Sequence, residues 1–113
     1  MKYILDRIKD IYDYYGPEIE TNKFYEEIEE VKKAVKNDDR ENLIEELADV
    51  FITSKHMMYR FDISEKEVSK KILFKLSRQE NRIRKEQIEN LSKENKQKLG
   101  EYINKKNIQQ GGK

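Results

Sequence analysis

Apolar residues recur every three or four positions along most of the chain, which is the spacing of one face of an α-helix. The first such pattern covers residues 3–15 and stops at Gly16–Pro17. The second runs from about Glu20 to Lys36, although Pro17 offers an earlier start. A third covers about 40–60, after a turn at Asn37–Asp38–Asp39 whose aspartates can cap the next helix. The pattern therefore predicts helices from the beginning of the chain.

A fourth helix is predicted over about 65–89, because Ser64 and Glu67 have the spacing of a capping box. Residues 91–107 are polar and rich in lysine, with a sparse apolar pattern. They are interpreted either as a fifth helix that packs on a partner or as a frayed tail. We therefore expect an all-α domain over residues 1–90 and a polar helix or tail over 91–113.

Composition limits what this domain can be. The chain has 113 residues, of which 35% are hydrophobic and 42% charged, so one domain with a thin core is expected. A thin core on a charged chain favours apolar surface buried between subunits. The 24 basic and 23 acidic residues nearly balance, which argues against nucleic acid or a membrane surface as partner. With no cysteine and no apolar signal segment, a cytoplasmic location fits best.

A short repeat carries the candidate chemistry. Residues 24–31 and 43–50 both follow the order apolar, any, Glu, Glu, apolar, any, acid, Val. At about 100° per residue, each copy forms one apolar stripe. The stripes contain Phe24, Ile28, Val31 and Val35 on the second helix, and Leu43, Leu47, Val50 and Ser54 on the third.

Two acids of each copy border its stripe, half turned toward the neighbouring helix. They are Glu27, Glu30, Glu46 and Asp49. The turn between the helices is short, so they should pack antiparallel and bring the four carboxylates together. Carboxylates that share a half-buried site disfavour one another's ionisation and must take up protons or cations. An all-oxygen ligand set selects Mg²⁺ or Mn²⁺, with Ca²⁺ as another hard cation.

Two other interpretations of these acids remain open. They could be ordinary surface carboxylates paired with lysines such as Lys32 and Lys33. A carboxylate-bridged di-iron site would need Glu-x-x-His motifs, but Thr53 stands three residues before the only histidine, His56. His56 is expected to be a packing or surface residue rather than a ligand.

The fourth helix carries a basic stripe beside its apolar face. Its members are Lys71, Lys75, Arg78 and Arg82. Their spacing keeps the cations on one side of the helix for about three turns. Next to metal-loaded carboxylates, such cations would bind a polyphosphate. The alternative is a solvated face neutralised by neighbouring glutamates.

Taken together, these motifs resemble the MazG-like all-α nucleoside triphosphate pyrophosphohydrolases. The family signature, Glu-Glu-x-x-Glu followed by Glu-x-x-Asp, matches Glu26-Glu27-Ile28-Glu29-Glu30 and Glu46-Leu47-Ala48-Asp49. Downstream, Lys75-Leu76-Ser77-Arg78-Gln79-Glu80-Asn81-Arg82-Ile83 stands where the family has Lys-Leu-x-x-Asn-x-x-Lys/Arg-Tyr, with Gln79 in place of the usual Asn. The resemblance covers roughly residues 20–85.

The resemblance implies a four-helix MazG-like bundle that forms homodimers or homotetramers. It implies that Glu27, Glu30, Glu46 and Asp49 bind Mg²⁺, or Mn²⁺, that Glu26 and Glu27 serve catalysis, and that Lys75, Arg78 and Arg82 hold the phosphates. Water would attack between the α- and β-phosphates of a nucleoside triphosphate, releasing a monophosphate and pyrophosphate. The alternatives are a pyrophosphohydrolase of another substrate such as phosphoribosyl-ATP, and a non-catalytic helical module that binds nucleotide or a partner protein.

Overall fold

The computed structural model describes residues 3–111, with side chains to residue 106. Over these residues the chain forms four helices and no strand, which confirms the predicted all-α fold class. The helices are α1 (Ile4–Tyr15), α2 (Pro17–Lys36), α3 (Arg40–Arg60) and α4 (Glu65–Gly111). The structure divides into two compact units, Met1–Glu67 and Val68–Lys113.

Two helix boundaries differ from the sequence-based prediction. Helix α2 begins at Pro17 rather than near Glu20, since a proline at the first helical position already has a helical φ and needs no donor there. Helix α4 does not end near residue 89 but continues through Gly111. Gly100 is the only breaker residue in that stretch before Gly111, and the other residues are mostly good helix formers. The extension is therefore a continuation of α4, while residues 112 and 113 lie outside the described part.

The predicted caps are present. The Asn42 backbone N–H donates to the Asp39 carboxylate at 3.2 Å, which starts α3. Ahead of α4, the Ser64 N–H donates to Glu67 Oε2 at 2.7 Å and the Glu67 N–H donates to Ser64 Oγ at 3.1 Å. This reciprocal pair lowers the pKa of the Glu67 carboxyl, chiefly through the backbone donor. Capping thus fixes where two of the four helices begin.

Helices α2 and α3 form an antiparallel hairpin, and α1 packs against both. The side chains that this packing buries are mostly polar: Ala34 is accompanied by Glu20, Thr53 and His56. Val35 and Leu47 were predicted to lie on the inner stripes but are 61% and 41% exposed. The other six stripe residues are half-buried, so the stripes largely face the packed side, while polar positions beside them take the most buried places.

A buried hydrogen-bonded chain joins the three helices of this unit. His56 Nδ1 lies 2.7 Å from Glu20 Oε2, and both side chains are only 1% exposed. The other ring nitrogen, Nε2, donates to the Ile8 carbonyl at 2.9 Å. Because that carbonyl can only accept, Nε2 carries a hydrogen, and one further proton lies between Nδ1 and the carboxyl. His56 is thus a packing residue, as expected, and an anchor for α1 and α2.

Apolar side chains remain exposed on the outer side of α1 and α3. They line one continuous groove formed by Ile4, Leu5, Ile8, Ala48, Phe51, Ile52, Ser54, Lys55 and Met58. Phe51 is 77% exposed and Ile4 is 72% exposed. Among the helices of the described residues, none combines the length and apolar character that a bilayer-spanning segment needs.

Replacing His56 with Ala should destabilise the protein strongly. The change leaves the Glu20 carboxyl buried without its partner and removes the bond to the Ile8 carbonyl. Loss of one member of a buried pair costs about 3 kcal/mol or more. Urea unfolding would measure this, with the exposed Glu45→Ala on the same helix as the control. Equal midpoints for the two variants would contradict the anchoring role.

Candidate metal centre

Three carboxylates meet where α2 faces α3. One oxygen from each of Glu27, Glu46 and Asp49 lies within 4.8 Å of the other two. Glu27 and Glu46 are half-buried, so the cluster is set into the contact between the helices rather than displayed on the surface. Three of the four acids predicted from the repeat are therefore brought together.

The cluster carries an electrostatic conflict. The pKa of Glu27 is raised from 4.5 to about 7, first by its close contact with the Glu46 carboxyl, then by desolvation and by the negative charge of Asp49. Glu46 Oε2 is buried and has no donor among the described residues. Two carboxylate oxygens cannot hydrogen bond unless a proton lies between them, so the contact demands either a proton or a cation.

The residues present fit a hard divalent cation. The donor set is entirely oxygen, its members are close enough to share one ion, and one buried oxygen lacks any other partner. Such ligands suit Mg²⁺ or Mn²⁺, which also keep water or phosphate oxygens in their coordination shell.

The other acids of the motif are placed differently. Glu30 does not join the close group, and its carboxylate accepts from Lys33 Nζ at 3.4 Å. Glu29 pairs in the same way with Lys32 at 3.0 Å, and both members of that pair are exposed. Glu26 is exposed beside Glu27. The surface-acid interpretation thus holds for Glu29, and the roles predicted for Glu26 and Glu30 stay predictions.

The predicted phosphate-binding residues share one face of α4. Lys75, Arg78 and Arg82 line a common depression together with Gln79. The Arg78 guanidinium also lies 5.9 Å from the centre of the Phe74 ring, over which Lys71 extends as well. Such stacking orders a guanidinium while leaving its edge able to donate. That this face adjoins the carboxylates in the assembled protein stays a prediction.

The sequence reasoning missed Glu20 as a partner of His56. A signal was available, because Glu20 is seven residues before Glu27 and His56 is seven residues after Asp49. Seven residues are close to two helical turns, so each pair shares a helix face. In an antiparallel hairpin, equal steps in opposite chain directions reach the same level. The spacing therefore places Glu20 opposite His56 once Glu27 is opposite Asp49.

The chain matches a known protein family. The family model described as phosphoribosyl-ATP pyrophosphohydrolase matches residues 3–74, which includes α1, α2, α3 and all three clustered carboxylates. Searches of the curated proteins and of the solved structures gave no significant match.

Mn²⁺ affinity should fall as the pH drops below about 7. The cation has to displace the proton that Glu27 holds below that pH. Displacing one proton weakens binding by about tenfold per pH unit in that range. Calorimetry at pH 6 and pH 8 would measure the change and the protons released, and equal affinity at both values would contradict proton competition at this cluster.

A second prediction concerns the stability of Glu46→Gln, in which a neutral amide replaces one of the three clustered carboxylates. Folded Glu27 keeps its proton up to about pH 7 whereas the unfolded chain releases it near 4.5, so metal-free stability falls as the pH rises through that window. A neutral amide at position 46 removes much of this repulsion. We therefore expect Glu46→Gln to raise the metal-free melting temperature at pH 8 and to abolish the stabilisation by Mn²⁺.

Proposed function

Since the chain belongs to the phosphoribosyl-ATP pyrophosphohydrolase family, an all-α family of the MazG-like superfamily, we propose that it hydrolyses phosphoribosyl-ATP between the α- and β-phosphates. The products are phosphoribosyl-AMP and pyrophosphate. Family membership indicates a pyrophosphohydrolase, a hydrolase that acts on acid anhydrides. The choice of substrate is our proposal.

The carboxylate cluster is the observation that supports pyrophosphate-bond hydrolysis at this site, and the family match supports the choice of substrate. Hydrolysis of a triphosphate chain is opposed by the negative charge of the phosphates and by the weak nucleophilicity of water. A divalent cation held at the cluster would supply charge neutralisation and lower the pKa of water. The three acids lie inside the family-matched segment and leave one buried oxygen of Glu46 without a donor.

Each acid has a proposed role. Glu27, Glu46 and Asp49 would hold Mg²⁺ or Mn²⁺, since each offers a carboxylate oxygen to the same place. Glu30 is proposed as a fourth ligand, because it lies three residues beyond Glu27 on the same side of α2 and exchanges only an exposed contact with Lys33. An exposed ion pair of this kind contributes little and is readily given up.

Glu26 and Glu27 are proposed to handle the proton of the attacking water. Glu26 is exposed beside the cluster, which leaves its carboxylate able to orient a water molecule and accept its proton. Glu27 adjoins Glu26 in the chain, and a carboxylate oxygen of Glu27 that is not engaged with the cation would be able to accept the same proton. The carboxylate that accepted the proton releases it to bulk water after the P–O bond between the α- and β-phosphates has broken.

The basic face of α4 is proposed to bind the leaving pyrophosphate. Lys75, Arg78 and Arg82 present three cations around one depression, and guanidinium groups bind phosphate oxygens in pairs. These residues lie beyond the family-matched segment, which ends at residue 74. Gln79 in the same depression supplies a neutral donor where the related enzymes usually have an asparagine.

A canonical or damaged nucleoside triphosphate is the competing substrate. It presents the same triphosphate chain to the same cluster, and it is the substrate of the MazG-like enzymes that the sequence motifs resemble. The family match favours phosphoribosyl-ATP instead. The two substrates differ at the base, so the carboxylates alone give no preference and a direct comparison is required.

Purified protein with Mg²⁺ should release pyrophosphate from phosphoribosyl-ATP faster than from any ordinary nucleoside triphosphate in a panel. Glu46→Gln and Asp49→Asn should each lower the rate by at least about a hundredfold, since even indirect damage to a metal site costs up to that factor. Glu45→Gln, which changes an exposed acid beside Glu46, is the control and should keep wild-type activity.

The outcome distinguishes the alternatives. Faster turnover of a nucleoside triphosphate would identify that compound as the substrate and would leave the proposed metal ligands unchanged. Binding of the substrates without any hydrolysis would favour the non-catalytic module. Full activity of Glu46→Gln would contradict the assigned ligand.

We also propose a homodimer or homotetramer. Its support is the apolar groove of α1 and α3, where Phe51 remains 77% exposed although few apolar side chains are buried inside the unit. Exposed apolar patches of this kind mark interfaces in soluble proteins. Light scattering after gel filtration should show an oligomer for the wild type and a smaller species for Phe51→Lys. A wild-type monomer at high concentration would exclude this assembly.

A further inference from the structure

The buried Glu20–His56 pair lies in the contact between α2 and α3, called here the seam, which also contains the three clustered carboxylates. Glu27 and Asp49 are each seven residues from the pair, on α2 and α3 respectively. Two helical turns span about 10 Å along a helix axis. The carboxylate cluster and the Glu20–His56 hydrogen bond are therefore about two helical turns apart on the same two helices.

The pair and the interhelical turn hold the hairpin at opposite ends. The turn at residues 37–39 joins α2 to α3 on one side of the carboxylates. Glu20 and His56 close the hairpin on the other side at 2.7 Å, and His56 Nε2 adds the Ile8 carbonyl of α1 at 2.9 Å. With the turn alone, α2 could swing away from α3 or roll about its axis, and either motion would separate Glu27 from Asp49.

Other contacts at this end of the hairpin are less buried. The Thr21 hydroxyl donates to the Pro17 carbonyl and accepts a hydrogen bond from Arg60, both at exposed positions. The same hydroxyl also lies 3.5 Å from the Met57 sulfur. The contacts with Arg60 and Met57 join α2 to α3, and the exposed one with Arg60 competes with water. The pair is the fully buried link on this seam.

The pair is also poorly suited to a purely stabilising role. Glu20 Oε1 is buried and has no hydrogen-bond partner among the described residues. A buried polar group without a partner costs free energy, and apolar side chains of similar volume are often at least as stable as a buried polar pair. What such a pair supplies in known cases is a single alignment of the two helices. Directional hydrogen bonds specify a register and a rotation, whereas apolar contacts tolerate several.

We propose that Glu20 and His56 are positioning residues that hold α2 against α3 in the alignment that brings Glu27, Glu46 and Asp49 within reach of one cation. This inference rests on the proposed metal centre for its functional meaning. The structural part, the alignment of the two helices, stands on the contacts of the pair. Neither residue touches the cation or the substrate.

The test compares Mn²⁺ binding by calorimetry at pH 8 across five full-length proteins besides the wild type, at a temperature where each is folded. The variants are Glu20→Ala, His56→Ala, Glu20→Gln, the double variant Glu20→Leu/His56→Leu, and Ile52→Ala. Ile52→Ala removes an apolar side chain from the groove of α1 and α3 and controls for lost stability, provided that light scattering gives it the oligomeric state of the wild type.

The two alanine variants should weaken Mn²⁺ binding by about tenfold or more, the cost typical of losing the support of a ligand. Glu20→Gln should bind almost as the wild type does, because its amide can donate to His56 Nδ1 while Nε2 still donates to the Ile8 carbonyl. The leucine pair should recover the urea midpoint but not the affinity. Ile52→Ala should lose stability and keep the affinity.

A second measurement does not depend on metal. The chain has no cysteine, so Asn22→Cys and Glu45→Cys, both at exposed positions, allow two spin labels across the hairpin. The distance distribution should be narrow in the wild-type and Glu20→Gln backgrounds. It should broaden or shift by several ångströms, up to about one helical turn of 5 Å, in the leucine pair.

The two measurements separate two kinds of failure. If the folded variants all bind Mn²⁺ like the wild type and the leucine pair keeps the narrow distribution, the positioning role is overturned. If the wild type itself binds no Mn²⁺, the proposed metal centre fails. The label distances then decide the alignment by themselves: a change in the leucine pair supports it, and an unchanged distribution refutes it.

Discussion

The hydrogen bond between Glu20 and His56 is the contact on which the first unit of this protein depends. It joins α2 to α3, and the second ring nitrogen extends it to the backbone of α1. Few apolar side chains are fully buried in the described residues, with Ala34 as the hydrophobic example. Directional polar contacts therefore specify much of the helix packing that a hydrophobic core would specify in a larger domain.

The same seam contains an arrangement that opposes folding. Glu27, Glu46 and Asp49 approach one another closely enough for the pKa of Glu27 to rise to about 7. A sequence selected only for stability would avoid such repulsion or neutralise it with lysine. The three acids nevertheless lie together at a half-buried position, inside a segment that matches a pyrophosphohydrolase family. The proposed cation site explains this arrangement, because a bound cation would neutralise the repulsion.

The apolar groove on the outer side of α1 and α3 has a related explanation. The fully buried places between the helices are taken mostly by polar side chains, and apolar side chains of α1 and α3 remain exposed in the groove. The proposed oligomer would bury these exposed apolar side chains, which the thin interior of the first unit leaves in contact with water.

The sequence by itself determined the helices and most of their ends, since helical periodicity, Asp39, Ser64 and Glu67 are local signals that act within a few residues. It also indicated which acids matter, because the repeat keeps the spacing of Glu27 and of Glu46 with Asp49. It did not reveal that α4 continues through Gly111, where the periodicity is too weak to mark either an end or a continuation.

Only the tertiary structure decided which positions of α2 and α3 are fully buried. Apolar residues spaced three and four apart define a broad arc of a helix rather than one direction, so Val35 and Leu47 could be assigned to the interior although they lie outside. Among the fully buried side chains are Glu20 and His56, whose contact joins residues 36 positions apart in the chain. A pairing over such a distance has no local signature. The packing of α2 against α3 also decided that Glu27, Glu46 and Asp49 meet while Glu30 remains beside Lys33.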